Sequence, residues 1–180
     1  MATEKQSAKR RRWLRRALEI GVVIGVFMLI RSCNAPEVSE GPAPDFEGTL
    51  LSGDTVRLAD YRGEPVIVHF WGSWCPVCRM ENGSIDELAD DIPLVTVAMQ
   101  SGDRETVSGF LEENGLDFPT VVDEQGELAR AFGVQGVPAS FVIGPEGEIR
   151  FTTVGYTTGL GLRARHWLAG LGNANDEGSP

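Results

Sequence analysis

Cysteine and histidine are scarce in this 180-residue sequence, which contains three cysteines and two histidines. Two of the cysteines, Cys75 and Cys78, lie close together, and the third, Cys33, lies in a segment rich in proline, serine and small residues. A structural zinc site needs four nitrogen or sulfur ligands at characteristic spacings, and the histidines do not complete such a set. The sequence therefore argues against a zinc site.

Lysine is also unevenly distributed, because none occurs after Lys9. Eight of the 16 basic residues but only two of the 26 acidic residues lie within residues 1–31, which leaves a net charge of about −16 on the rest of the chain. A protein that binds nucleic acid needs a basic face for the phosphates. The acidic body therefore argues against nucleic acid as a partner, and the basic first segment needs its own explanation.

The basic residues precede an apolar run, ALEIGVVIGVFMLI, at residues 17–30. A positive segment before an apolar helix-forming run is typical of a signal peptide or an uncleaved signal anchor. No Ala-x-Ala pattern follows the run, so we predict a single-pass anchor with its cationic flank in the cytoplasm. Everything after Arg31 would then lie across the membrane. One alternative stays open, since LIRS before Cys33 loosely resembles a lipoprotein processing site.

Composition divides the chain into four parts. Residues 1–31 are predicted to form the basic flank and the anchor. Residues 32–44, with the sequence SCNAPEVSEGPAP, are predicted to be a linker. Residues 45–171 are predicted to be the folded domain, and residues 172–180 a disordered tail.

Strand and helix patterns alternate within the predicted domain. Apolar runs at 65–71 and 94–99 predict buried strands, the segment 103–115 predicts a capped helix, and FEGTLLSGDTVRL predicts a hairpin. Strands that alternate with helices imply an α/β sandwich with a partly parallel central sheet. The terminal helix at 159–171 is expected to direct five apolar side chains inward: Leu160, Leu162, Trp167, Leu168 and Leu171.

The segment Cys75-Pro76-Val77-Cys78 lies where a predicted strand gives way to a predicted helix. Cysteines at this spacing can close a disulfide, and the amide groups and dipole of the first helical turn stabilise a thiolate on the more exposed Cys75. Pro76 suits the first turn, because its missing N–H would have no partner there. The arrangement is typical of thiol–disulfide exchange. A purely structural disulfide is the alternative, although so short a loop constrains the unfolded chain little.

The segment FWGSWCPVC resembles the thioredoxin-fold signature, and the resemblance covers roughly residues 42–170. PAPDF, WCPVCRME and GVPASFVIGPEGEIRF resemble the membrane-anchored TlpA/ResA-type protein disulfide oxidoreductases. LVTVAMQSG and VGYTTGLGLRARHWLA are similar to ScsD-type members, the thioredoxin-like proteins of suppressor-of-copper-sensitivity systems. The resemblance implies a three-layer α/β/α thioredoxin fold with a mixed central sheet, an N-terminal β-hairpin and a helix–strand insertion at residues 100–122.

The same resemblance implies roles for individual residues. Cys75 would be the attacking nucleophile and Cys78 the resolving thiol of a redox-active disulfide. Trp74 would shield the edge of the site and, with Pro76, border the substrate. Val137-Pro138 would form a cis-proline loop that faces the cysteines, and the backbone of Val137 would pair with a bound substrate chain.

Three titratable residues have roles that the sequence leaves open. His69 stands where thioredoxins carry a buried Asp and TlpA-like proteins often carry Asn, so it would take the proton of Cys78, or else be a neutral core histidine. Many relatives carry an acid at the position of Glu81, where it is credited with tuning the thiols, but the sequence favours a solvated helix carboxylate. His166 is expected on the surface or in the packing of the terminal helix.

These observations predict a thiol–disulfide oxidoreductase anchored in the bacterial inner membrane, with its domain in the periplasm. Its substrates would be protein disulfides, and a membrane protein of the DsbD or ScsB type would supply electrons if it works as a reductase. Neither an organic cofactor nor a metal is required, and copper stress or cytochrome c maturation are the implied pathways. Two alternatives remain. The first is a peroxiredoxin-type antioxidant peroxidase, but such a protein would carry its cysteine in a Thr-x-x-Cys setting, which the segment Ser-Trp-Cys-Pro-Val-Cys fits badly. The second is a non-enzymatic copper-binding module.

Overall fold

A computed structural model describes residues 41–171, and all of them belong to one compact unit. The predicted anchor at residues 17–30, Cys33 and the predicted tail at residues 172–180 lie outside the described residues. Within residues 41–171, no helix has the length and apolar character needed to cross a membrane.

Strands and helices alternate along the described chain much as the sequence predicts. The strands are β1 (Gly41–Pro42), β2 (Glu47–Thr49), β3 (Thr55–Arg57), β4 (Val66–Trp71), β5 (Leu94–Met99), β6 (Thr120–Asp123), β7 (Ala139–Ile143) and β8 (Glu148–Val154). The α-helices are α1 (Pro76–Ala89), α2 (Arg104–Asn114), α3 (Glu127–Ala131) and α4 (Gly159–Gly170), and a 3₁₀ helix spans Leu58–Tyr61.

Six strands form one sheet in the order β1-β8-β7-β4-β5-β6, and β2 and β3 form a separate hairpin. The central strand β4 is parallel to β5 and antiparallel to β7, so the sheet is mixed. Helices α1, α2 and α4 pack on one face of the sheet, and α3 and the hairpin pack on the other. The predicted three-layer α/β/α sandwich is confirmed, with its hairpin and with α2 and β6 as the insertion.

All six residues of β4 are buried, and they alternate between two cores. Val68 and Phe70 belong to the core beneath α3 and the hairpin, whereas Ile67 and Trp71 belong to the core beneath α1, α2 and α4. Successive side chains of a strand point to opposite faces. His69 therefore faces α1, the helix that carries the cysteine pair.

The sheet begins earlier in the chain than the composition predicts. Gly41 and Pro42 form β1, which pairs antiparallel with the start of β8, and the Ala43 N–H donates a hydrogen bond of 2.8 Å to the carbonyl oxygen of Gly147. The residues Gly, Pro and Ala at 41–43 are typical of a linker, but an edge strand also tolerates proline. Residues 41–43 therefore belong to the folded domain and not to the linker.

The terminal helix α4 packs in a different orientation from the predicted one. Of the five residues predicted to point inward only Leu162 is buried, and Leu160 and Trp167 are 79% and 63% exposed. A Cβ atom added to Gly159 would lie 3.2 Å from a backbone oxygen of α1, and Ala169 is fully buried. The helix therefore packs on the domain through Leu162 and through small residues, which permit a close approach. The prediction was wrong for four residues: Leu160, Trp167, Leu168 and Leu171.

The buried carboxylate of Asp123 fixes the start of α3, the helix before the predicted cis-proline loop. It accepts hydrogen bonds from the backbone N–H groups of Glu127, Leu128 and Ala129, at 2.8, 3.3 and 2.9 Å. We expect Asp123→Ala to lower the free energy of unfolding by about 2 kcal/mol, because these amide groups lose their acceptor. Urea unfolding followed by circular dichroism measures the change.

Asp123→Asn is the matched control, because it keeps one oxygen acceptor in a side chain of nearly the same size. We expect it to lose less than half as much stability as Asp123→Ala. Equal losses in the two variants would show that the amide groups of α3 do not depend on the carboxylate oxygens.

Candidate active site

The cysteine pair lies where the chain passes from β4 into α1. Cys75 is the N-cap residue of α1, Pro76 occupies the first helical position, and Cys78 follows in the first turn. The two cysteines form a disulfide with their Cα atoms 5.3 Å apart, and Cys75 Sγ accepts a hydrogen bond of 3.1 Å from the Cys78 N–H. The helix N-terminus therefore points at this sulfur, where it stabilises a thiolate after reduction.

The two cysteines differ in their access to solvent. Cys75 is 4% exposed and Cys78 is fully buried. A disulfide or thiol of another molecule can therefore reach only Cys75. The asymmetry fits the predicted roles of Cys75 as the nucleophile and Cys78 as the resolving thiol.

Hydrogen bonds from Trp74 and Arg79 hold the loop before Cys75 in place. Trp74 is half-exposed, and its Nε1–H donates a hydrogen bond of 3.3 Å to the carbonyl oxygen of Met99. A Cβ atom at Gly72 would lie 2.7 Å from the Trp74 ring, so only glycine leaves room for the ring there. The Arg79 guanidinium donates two hydrogen bonds, of 3.0 and 2.7 Å, to the carbonyl oxygen of Ser73. These contacts hold the indole next to the reactive sulfur.

The loop before β7 lies against the same sulfur. The Val137–Pro138 peptide bond is cis, and the carbonyl oxygen of Val137 lies 3.6 Å from Cys75 Sγ. The carbonyl oxygen of Pro138 accepts a hydrogen bond of 2.8 Å from the Gly155 N–H, which ties the loop to the end of β8. The structure thus brings the predicted cis-proline loop to the cysteines. The pairing of the Val137 backbone with a substrate stays a prediction.

His69 connects the sheet to the helix that carries the cysteines. It is fully buried, and its Nδ1 lies 2.9 Å from Ser140 Oγ, because the register of β4 and β7 places these two residues opposite each other. Its Nε2 lies 3.7 Å from Glu81 Oε1 on α1. That distance is too long for a hydrogen bond.

Glu81 is fully buried, so the prediction of a solvated carboxylate was wrong. Its Oε2 accepts a hydrogen bond of 3.1 Å from the Thr157 N–H. Its Oε1 and the His69 Nε2 have no hydrogen-bond partner within residues 41–171. Cys78 and Glu81 are three residues apart on α1 and share one face of the helix. A carboxyl group with spare proton-binding capacity is therefore held on the side of the buried cysteine.

Burial disfavours the charged form of both groups and therefore shifts their pKa values in opposite directions. Burial lowers the pKa of His69 to about 3. Burial raises the pKa of Glu81 to about 7, and the hydrogen bond from the Thr157 N–H opposes part of this shift. A group whose pKa lies near the working pH is suited to proton transfer. The site therefore favours Glu81 over His69 as the acceptor of the Cys78 proton.

Sequence reasoning missed two residues that contact His69 and Glu81, namely Ser140 and Thr157. Pairing β4 with the strand after Pro138 would have placed Ser140 opposite His69. Thr157 acts through its backbone N–H, which leaves no pattern in the sequence. His166 lies away from the site and contacts the carbonyl oxygen of Pro65 at 2.9 Å, as expected for a packing role.

Comparison with known proteins supports the chemistry of this pair. The model of the AhpC/TSA family matches residues 40–152. Thiol-disulfide oxidoreductase ResA of Geobacillus kaustophilus is 37% identical over 120 residues, which cover 64% of this chain and 69% of the relative. Sporulation thiol-disulfide oxidoreductase A of Bacillus subtilis is 32% identical over 120 residues, which cover 63% of this chain and 72% of the relative.

Solved structures share the fold as well as the sequence. The crystal structure of StoA from Bacillus subtilis superposes with a TM-score of 0.62 at 31% identity, and the match covers 68% of this chain and 96% of StoA. The family match spans more than half of the chain and includes both active-site cysteines. The chain therefore belongs to the AhpC/TSA family and is a thiol–disulfide oxidoreductase of the TlpA/ResA type with a thioredoxin-like fold.

Proposed function

We propose that the protein is a membrane-anchored reductase of protein disulfides on the periplasmic side of the bacterial inner membrane. The observation that carries the proposal is the Cys75–Cys78 disulfide at the N-terminus of α1, with one sulfur reachable and the other buried. The basic segment before the apolar run at residues 17–30 supports the location, because this order of residues is typical of a signal anchor.

The proposed reaction passes two electrons from the reduced cysteine pair to a substrate disulfide. The Cys75 thiolate attacks one substrate sulfur, forms a mixed disulfide and releases the other substrate sulfur as a thiolate. Cys78 then gives its proton to Glu81 and attacks Cys75 Sγ. This step restores the Cys75–Cys78 disulfide and releases the second substrate sulfur as a thiolate. The two substrate thiolates become a dithiol by taking one proton from Glu81 and one from water.

The oxidised pair must then be reduced by a second protein. The proposal assigns this step to a membrane electron donor of the DsbD or ScsB type, because the anchor would hold the domain beside such a protein. Copper stress and cytochrome c maturation are the pathways proposed for the substrates, on the resemblance of the sequence to proteins of those systems.

We expect the reduction potential of the pair to lie nearer to the value of about −270 mV for thioredoxin than to the value of about −120 mV for the oxidant DsbA. The reason is that the carboxylate of Glu81 and burial both disfavour a thiolate on Cys78, which favours the disulfide form. Equilibration with glutathione buffers at pH 7, followed by alkylation of free thiols, measures the potential.

The same alkylation in intact cells shows the direction of electron flow. We expect the pair to be mostly reduced in wild-type cells and oxidised in cells without the membrane donor. A potential close to that of DsbA with a mostly oxidised pair would indicate an oxidase. Fractionation of the same cells tests the location, since a reductase found only in the soluble fraction would contradict the anchor.

Two other activities give different results in the same preparation. A peroxidase would turn over hydrogen peroxide even after Cys78→Ser, because the peroxidatic cysteine acts alone in the first step. A copper-binding module would be stabilised by copper and would not reduce insulin disulfides. Reduction of insulin that requires both cysteines supports the proposed reductase.

A further inference from the structure

A groove of about 460 Å³ lies between the loop that precedes α1 and helix α2, and Trp74 is among the residues that line it. Trp74 and Arg79 line it on the side of the cysteine pair, and Glu105 and Phe110 line it on the side of α2. Trp74 is the residue next to Cys75. Residues that flank a substrate disulfide bound at Cys75 are therefore within reach of the groove.

Gly109 lines the groove from the middle of α2, where glycine destabilises a helix relative to alanine. Its backbone is helical, and a Cβ atom added there would have no neighbour within 4 Å. Neither a turn nor close packing therefore requires glycine. The missing side chain leaves open space between Glu105 and Glu113, which lie four residues before and after it on the same face of the helix.

The acidic side chains of the groove lack partners, whereas its basic side chain has them. The side chains of Glu105 and Glu113 are exposed and make no ion pair or hydrogen bond with another residue in the described part of the chain. The cation of the groove, Arg79, lies 5.6 Å from the centre of the Phe110 ring and donates two hydrogen bonds to the carbonyl oxygen of Ser73. The groove therefore offers two unpaired carboxylates and one guanidinium already held by its own protein.

We propose that this groove binds a lysine or arginine side chain that flanks the reactive disulfide of a substrate protein, an inference that rests on the proposed reductase function. The apolar stem of such a side chain packs on the exposed ring of Trp74, and its cation pairs with Glu105 and Glu113. An acidic side chain at the same place meets two like charges and is disfavoured. The net charge of about −16 on residues 32–180 adds a long-range attraction for cationic substrates.

Three disulfide-bonded peptides test the inference, identical except for Lys, Ala or Glu beside one cysteine. The reduced full-length protein in detergent is mixed with each peptide, and acid quenching with alkylation gives the second-order rate constant of exchange. We expect the Lys peptide to react about tenfold faster than the Glu peptide at low salt, as two weak surface ion pairs would give. Added salt should reduce this ratio.

Variants locate the preference in the groove. We expect Glu105→Gln combined with Glu113→Gln to reduce the Lys-over-Glu ratio to about twofold. Glu112→Gln is the control, to be compared with each single variant, because it removes one negative charge from α2 at a residue outside the groove, and it should keep the wild-type ratio. Gly109→Leu fills the groove and should slow the Lys peptide more than it slows oxidised dithiothreitol.

The outcomes separate this inference from the proposed function. Equal rates for the Lys and Glu peptides, or a tenfold ratio that survives in the double variant, would overturn the groove as a specificity site and leave the reductase standing. Exchange with none of the three peptides would overturn the reductase itself.

Discussion

Replacement of Cys75 by serine is expected to slow thiol–disulfide exchange by at least about a thousandfold, because the variant has no solvent-accessible thiolate to open a substrate disulfide. Cys78→Ser is expected to behave differently. Cys75 can still make the first attack, but no second thiol resolves the product, so a covalent Cys75–substrate disulfide accumulates. Insulin reduction measures the first effect, and mass spectrometry of the non-reduced protein detects the trapped complex.

The exposures of the two cysteines make this asymmetry a sharp test of their roles. Because Cys78 is fully buried, Cys75→Ser should trap no substrate even when Cys78 is reduced. Cys33→Ser is the matched control, since it removes the remaining cysteine, which lies outside the described domain, and should retain full exchange. Trapping at Cys78 as fast as at Cys75 would contradict the assigned order of attack.

The second large effect is expected in the pH dependence of stability, where His69 and Glu81 act with opposite signs. The pKa of His69 is about 3 in the folded protein against an ordinary value of 6.5, so the folded state binds this proton more weakly than the unfolded state. Its stabilisation is therefore complete above pH 6.5 and is lost as the pH falls toward 3. The pKa of Glu81 is about 7 against 4.5, so its stabilisation is complete below pH 4.5 and is lost as the pH rises to 7.

Between pH 4.5 and 6.5 the two contributions oppose each other in the wild-type protein. Replacing either residue removes its own contribution, so the stability of the variant follows the pH dependence of the other residue. We expect Glu81→Gln to lose about 1.4 kcal/mol of unfolding free energy, relative to wild type, for each pH unit below 6.5. We expect His69→Asn to lose a similar amount, relative to wild type, for each pH unit above 4.5.

Urea unfolding at half-unit steps from pH 4.5 to 6.5 measures these slopes. Subtraction of the wild-type curve removes the contribution of all other titrating groups. The double variant His69→Asn with Glu81→Gln is the control, because it lacks both groups and should run parallel to wild type. Single variants whose slopes have the same sign would show that burial does not shift the two groups in opposite directions.

The sequence predicted the parts of the site that depend on residues close together in the chain. The strand before Trp74 and the helix after Cys75 follow from an apolar run and from a cysteine at an N-cap, both of which are local patterns. Helix α2 was predicted from its ends for the same reason. Asp103 accepts a hydrogen bond from the Thr106 N–H, and Gly115 ends the helix in the left-handed region with φ of 63°.

The parts that depend on distant contacts could not be predicted. The burial of Glu81 involves Thr157, which lies 76 positions further along the chain, and a single helix turn with mixed polarity gives no sign of that contact. The orientation of α4 follows from where Gly159 meets α1, whereas apolar content alone favours the large residues. Strand β1 has a loop-like composition, and only its pairing with β8 identifies it as a strand.

The separation of the site's components along the chain also sets the order in which they come together during synthesis. Cys75 and Cys78 meet within one helical turn, but the Glu81–Thr157 and Cys75–Val137 contacts join residues 76 and 62 positions apart. Such contacts form late, because a long loop must first be closed. A nascent chain therefore carries its reactive thiols before Glu81, the carboxyl group beside Cys78, is buried against Thr157. Its redox chemistry matures only when β7, β8 and the start of α4 have folded onto the first half of the domain.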